Sequence, residues 1–152
     1  MMPRTALLLI VLFLSAPALA QEDTKANVPF REDAGLITTE YYLATGKYTQ
    51  ALDVLNGVLS RHPQNADAYT YRALAYQNLG DLKKARDDYT QALAINPKHL
   101  GALKYTGSLF VMKGKLSQAL EVLYAIRQIC GPSACEEQDE LEYEINNLKK
   151  KK

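Results

Sequence analysis

The chain has 152 residues, with 18 lysines and arginines against 17 acidic side chains, and two cysteines. A length of this order suits one domain that buries roughly two-thirds of its unfolded surface. Balanced charge removes the long-range attraction that phosphate backbones or anionic lipid would need, so no nucleic-acid partner is expected.

Taken from the start, residues 1–20 have the form of a secretory signal peptide. Arg4 is their one charged side chain, residues 6–14 are an unbroken apolar run (ALLLIVLFL), and Pro17 precedes Ala18-Leu19-Ala20, a small-x-small cleavage pattern. Such a run is too short to cross a bilayer as a helix, which takes about 20 residues. The expectation is an exported protein beginning at Gln21, in the bacterial periplasm, with no stable membrane insertion after cleavage. Residues 21–31 are polar and hold Pro29, and are expected to form a disordered linker.

From there the sequence repeats every 34 residues. Gly46, Gly80 and Gly114 share that interval, as do Ala51, Ala85 and Ala119, and Tyr42, Tyr76 and Phe110. Leu55, Tyr89 and Leu123 form another column, Val58, Ala92 and Ile126 a further one, and Pro63 matches Pro97. The spacing predicts three helix-turn-helix units over 32–65, 66–99 and 100–133. In the middle unit, amphipathic segments at 67–79 and 82–95 flank Gly80, which is expected to end the first helix in the left-handed region. Asp81 is placed to cap the second helix. The alanines fall where antiparallel helices cross, the aromatics fill the space between layers, and each proline bars continuation of a second helix.

These columns carry a family resemblance. The second unit, with Tyr69, Ala73, Tyr76, Gly80, Ala85, Tyr89, Ala92 and Pro97, resembles a near-consensus tetratricopeptide repeat. The first departs at Gly35, and the third at Leu103, Gly107 and Gly131. The resemblance covers 32–133 and implies an all-α, right-handed solenoid with a peptide-binding concave groove. Such a stack needs a cap. Residues 134–152 are expected to supply it, with Leu141, Ile145 and Leu148 as one apolar stripe, acids at its start and lysines at its end.

Cys130 and Cys135 are an even pair in a chain read as exported, so a disulfide pinning the cap is expected. Four intervening residues do not suit a redox pair, and His62 and His99, beside prolines at helix-end turns, do not suggest a metal site. No nucleophile triad, phosphate loop or metallohydrolase motif occurs. The chain is therefore read as non-catalytic, without cofactor, and Asp87 and Asp88, beside Arg86, as a solvated helix face.

Tyr42, Tyr69, Tyr76 and Tyr89 fit structural columns, whereas Tyr71 and Tyr105 recur on the side that lines the groove in the family. The same mapping adds Leu36, Glu40, Asp67, Thr70, Leu74, Lys104 and Ser108 as candidate groove residues. Two roles fit Tyr71 and Tyr105, ligand contact and packing of the helices. Some family members grip a terminal carboxylate with lysine, arginine and asparagine. The corresponding positions here are Leu36, Glu40, Tyr71, Gly101 and Tyr105, so acidic chaperone tails are not implied. The leading expectation is an envelope adaptor binding a peptide segment of a protein partner. A self-associating solenoid, a homo-oligomer without separate ligand, is the alternative.

Overall fold

The computed structural model describes residues 34–150. The expected signal peptide and linker, at 1–31, lie outside the described residues. Those described form seven helices and no strand: α1 Ala34–Ala44, α2 Tyr48–Arg61, α3 Ala66–Asn78, α4 Leu82–Ile95, α5 Leu100–Met112, α6 Leu116–Cys130 and α7 Glu136–Lys150. The first six pair as α1–α2, α3–α4 and α5–α6, each hairpin packing on the next, and α7 lies against α5 and α6. The result is the all-α helical solenoid that the family resemblance implies.

The glycine column makes the bends. Gly80 has φ of 85°, a left-handed backbone that a side chain would strain. Its amide donates to the Gln77 carbonyl at 3.1 Å, and the Asp81 amide donates to the Tyr76 carbonyl at 2.9 Å. This pair of bonds satisfies carbonyls that the end of α3 would otherwise leave open. Asp81 then accepts from the Lys84 amide at 3.2 Å and starts α4. Lys47 and Lys115 stand in the same place before α2 and α6 and make no side-chain cap there.

Packing follows the columns. Ala51, Ala85 and Ala119 are fully buried, as are Val58, Ala92 and Ile126. Leu55, Tyr89 and Leu123 are buried with them. Tyr42, Tyr69 and Tyr76 are half-buried against these clusters, so the tyrosines read as structural do pack. Leu141 and Ile145 bring α7 into a shared core with Leu103, Leu123 and Ile126. Burying those two side chains of the cap contributes about 4 kcal/mol before the entropy of ordering is subtracted.

The cap fits because α5 has room for it. A Cβ added at Gly107 would stand 2.8 Å from Leu141 Cδ1 and 3.2 Å from its Cγ, inside van der Waals contact. The departure of Gly107 from the family pattern is thus the seat of α7. Cys130, the last residue of α6, is bonded to Cys135 just before α7, with Cα atoms 5.8 Å apart, in the ordinary range for a disulfide. Acids in the first turn of α7 and lysines in its last complement the helix dipole.

The reading of Asp88 needs correction. Asp87 is exposed and pairs with Lys83, as a solvated face would. Asp88 is buried and accepts from Arg72 Nε at 2.7 Å and Arg72 Nη2 at 2.8 Å. It faces back toward α3, where a charge is tolerable only with such a bidentate partner.

Candidate functional site

The odd-numbered helices stand side by side, and a cavity of about 360 Å³ opens along them. From α3 come Asp67, Thr70 and Tyr71, and from α5 and the residue before it Lys104, Tyr105, Gly101 and His99. The first turns of α7 add Glu136, Glu137 and Glu140. Five of the nine residues expected in the groove therefore meet there: Asp67, Thr70, Tyr71, Lys104 and Tyr105.

Glu40 stands next to it on α1 and accepts a hydrogen bond from the Tyr71 hydroxyl at 2.5 Å. Burial, and then that carboxylate, push the Tyr71 phenol well above its usual titration range, so it stays a donor. Leu36 and Ser108 do not belong to the groove. Leu36 is buried in the first core cluster, and Ser108 is buried within α5. A helix turns about 100° per residue, so a register set by sequence interval puts some positions on the inner side of the helix. Leu74 is half-buried on α3 and stands outside the cavity lining.

His99 shows how the wall is held. Its Nδ1 accepts from the Ala102 amide at 3.1 Å, capping α5, which leaves the ring proton on Nε2. Nε2 then donates to Asp67 Oδ1 at 2.8 Å, tying α5 to the first turn of α3. This hydrogen bond holds the Asp67 carboxyl below its usual range, and burial opposes the shift. The signal was periodic: Asn65, one repeat earlier, caps α3 by accepting from Ala68.

Among the described residues of the lining, Lys104 is the one cation. Its Nζ contacts Glu140 Oε2 at 2.6 Å and lies 3.8 Å from the centroid of the Tyr105 ring. Burial works against the charge, but Glu140 and Tyr105 outweigh it and raise the ammonium's pKa. Tyr105 in turn stacks on the buried Tyr89 ring, with centroids 6.1 Å apart. The two roles open to Tyr105 are thus combined, since it packs the repeat and also lines the cavity.

Sequence reasoning did not assign Glu136, Glu137 and Glu140 to the groove. Their charges were explained by the helix dipole, and only the docking of α7 against α5 brings them to it. Among the described residues no cluster of histidine, cysteine or acids is arranged to hold a metal ion, and no helix is long and apolar enough to cross a membrane.

Models of the tetratricopeptide repeat match residues 33–65 and 66–99. The Sgt2 tetratricopeptide domain of Aspergillus fumigatus superimposes with a TM-score of 0.67 at 23% identity, over 78% of this chain and 77% of that one. The chain belongs to the tetratricopeptide-repeat family. Of curated relatives, the small glutamine-rich tetratricopeptide repeat-containing protein 2 of Saccharomyces cerevisiae is 30% identical over 117 residues, 75% of this chain. This tetratricopeptide-repeat chain spans only 32% of that relative's length. The first repeat domain of Spaghetti (RPAP3), bound to the HSP90 peptide SRMEEVD, gives a TM-score of 0.65 at 25% identity, covering 76% of this chain and 94% of that one. That neighbour holds a peptide, and the described helices here have the same architecture.

Proposed function

We propose that this protein is a non-catalytic adaptor that docks a peptide segment of a partner protein in the groove between its odd-numbered helices. The observation that carries the reading is the convergence of Tyr71 and Tyr105, from successive repeats, on one cavity with polar groups at its edges. Rigid aromatic faces in a preformed groove give a peptide contact area without a large ordering cost. The peptide-bound Spaghetti domain supports the mode of binding, but its acidic ligand does not transfer. The positions expected to clamp a terminal carboxylate hold Leu36, Glu40, Tyr71, Gly101 and Tyr105.

We place this activity in the cell envelope of a bacterium, an assignment that rests on the signal-like residues 1–20 and the paired cysteines. Both parts can be tested in one strain. A photocrosslinking residue at position 71 is expected to capture a discrete partner from intact cells, and one at Tyr124, exposed on α6 outside the cavity, is not. Equal capture at the two positions would remove the groove from the account. Osmotic shock is expected to release the protein, and retention with the spheroplasts would remove the periplasm.

A further inference from the structure

We infer that the groove is built for a basic segment of a partner protein, in which arginine or lysine alternates with apolar residues. The inference deepens the adaptor reading and rests on it.

The cavity between α3, α5 and α7 has two tyrosines in its lining, Tyr71 and Tyr105. Aromatic rings accept apolar side chains and, over their faces, cations. The structure already shows the second use, because Lys104 lies against Tyr105. A cation reaching the face of the Tyr71 ring would meet the same kind of quadrupole.

Charge then selects among peptides. Among the described residues the lining holds four carboxylates, Asp67, Glu136, Glu137 and Glu140, against the single ammonium of Lys104. That ammonium is already engaged by Glu140 at 2.6 Å. Asp67 keeps its charge, since the hydrogen bond it accepts from His99 Nε2 at 2.8 Å favours the carboxylate. Glu40 adds a further carboxylate at the α1 side, bonded to a neutral phenol. Glu136 and Glu137 have no ion-pair partner among the described residues. An acidic peptide would therefore bring its charges to a negative wall whose one cation is taken. A guanidinium would gain charge-assisted hydrogen bonds to Glu136 or Glu137 and a stacking surface beside them.

The test uses the full chain and two fluorescein-labelled ten-residue peptides. One alternates arginine with leucine and tyrosine, and the other has aspartate at each arginine position. Anisotropy titrations are run at low and physiological salt. The basic peptide is expected to bind and the acidic one not. Glu136→Gln with Glu137→Gln, two side chains at the open edge, should weaken the basic peptide about fivefold and flatten its salt dependence. Tighter binding of the acidic peptide, binding of neither, or an unchanged affinity in the double variant would overturn the inference. Tyr71→Ala separates the two levels, with circular dichroism confirming its fold. If the basic peptide is weakened by the glutamines and indifferent to Tyr71→Ala, the groove reading itself falls. If the acidic peptide binds tightly and is lost on Tyr71→Ala, the groove stands and its polarity is reversed. Concentration-dependent sedimentation of the unliganded chain would assign the surface to a second copy and also overturn the proposal.

Discussion

Arg72 stands where three helices meet. Its guanidinium holds both oxygens of Asp88 on α4, donates to Asn56 Oδ1 on α2 at 3.1 Å, and lies 5.3 Å from the centroid of the Tyr69 ring. The side chain of Arg72 is 21% exposed and that of Asp88 11%, so solvent screens the pair only in part. Asp88→Ala leaves a mostly desolvated cation with only Asn56 and the Tyr69 ring as partners. The expected loss is about 2 kcal/mol, below the cost of breaking a fully buried pair because Arg72 retains some water. Urea unfolding checks it, and a change under about 0.5 kcal/mol, typical of surface substitutions, would refute the clamp. Sequence reading missed this residue for a definite reason: Asp87 and Asp88 are adjacent, and only the rotation of α4 decides which one turns inward. Asp67 gives a second prediction at this scale. Its depressed pKa means that its charge stabilises the fold fully above the ordinary carboxylate value of 3.8 and less as pH falls through the folded value. Asp67→Asn keeps an acceptor for His99 but removes the charge. The variant should melt about 2 °C lower at pH 7, since a half-exposed charge contributes under about 1 kcal/mol. The gap should close below pH 3.8, and a gap that widened in acid would contradict the assignment.

At the scale of the element, the helices were legible because local punctuation recurs along the chain. A left-handed glycine, a cap and a proline recur at fixed distances, and local rules of that kind survive whatever packs around them. What the period did not reveal is how α7 meets α5. Gly107 reads in the sequence as a flaw, a helix interior without a side chain, which ordinarily costs about 1 kcal/mol relative to alanine. In the structure the missing Cβ is the space that Leu141 fills. Gly107→Ala should therefore destabilise the protein by about 1 kcal/mol despite its better helix propensity, because the fully buried Leu141 has no room to swing aside. Gly57 provides the contrast. A Cβ there would meet only Arg61 Nη1, at 3.7 Å, so Gly57→Ala should stabilise α2 by a similar amount. Thermal melts of the two variants must move in opposite directions. A rise in both would show that propensity alone governs the two sites.

Over the whole molecule, stability is shared between neighbours, since each hairpin touches chiefly the next. The groove is then a property of the stack and not of any one repeat. Its α3 and α5 walls follow from the period, whereas its third wall exists only because the cap docks. This is why Tyr71, Lys104 and Tyr105 were readable and Glu136, Glu137 and Glu140 were not. The disulfide sits at the junction of these two levels. It closes a loop across a sequence separation of 5, and Glu136 and Glu137 follow its second cysteine directly. Replacing both cysteines by serine frees the unfolded chain and should lower stability by about 2 kcal/mol. The helical signal of the folded state should be unchanged at moderate temperature, because Leu141 and Ile145 still hold α7 to α5 and α6. The first turn of α7 loses its anchor, however, so amide exchange there should accelerate ahead of exchange in α3 and α4. Affinity for a groove-bound peptide should fall with it, as an unfastened wall must be ordered on binding. Uniform acceleration across all seven helices, with peptide affinity intact, would mean that the bridge stabilises the solenoid generally and has no special hold on the site.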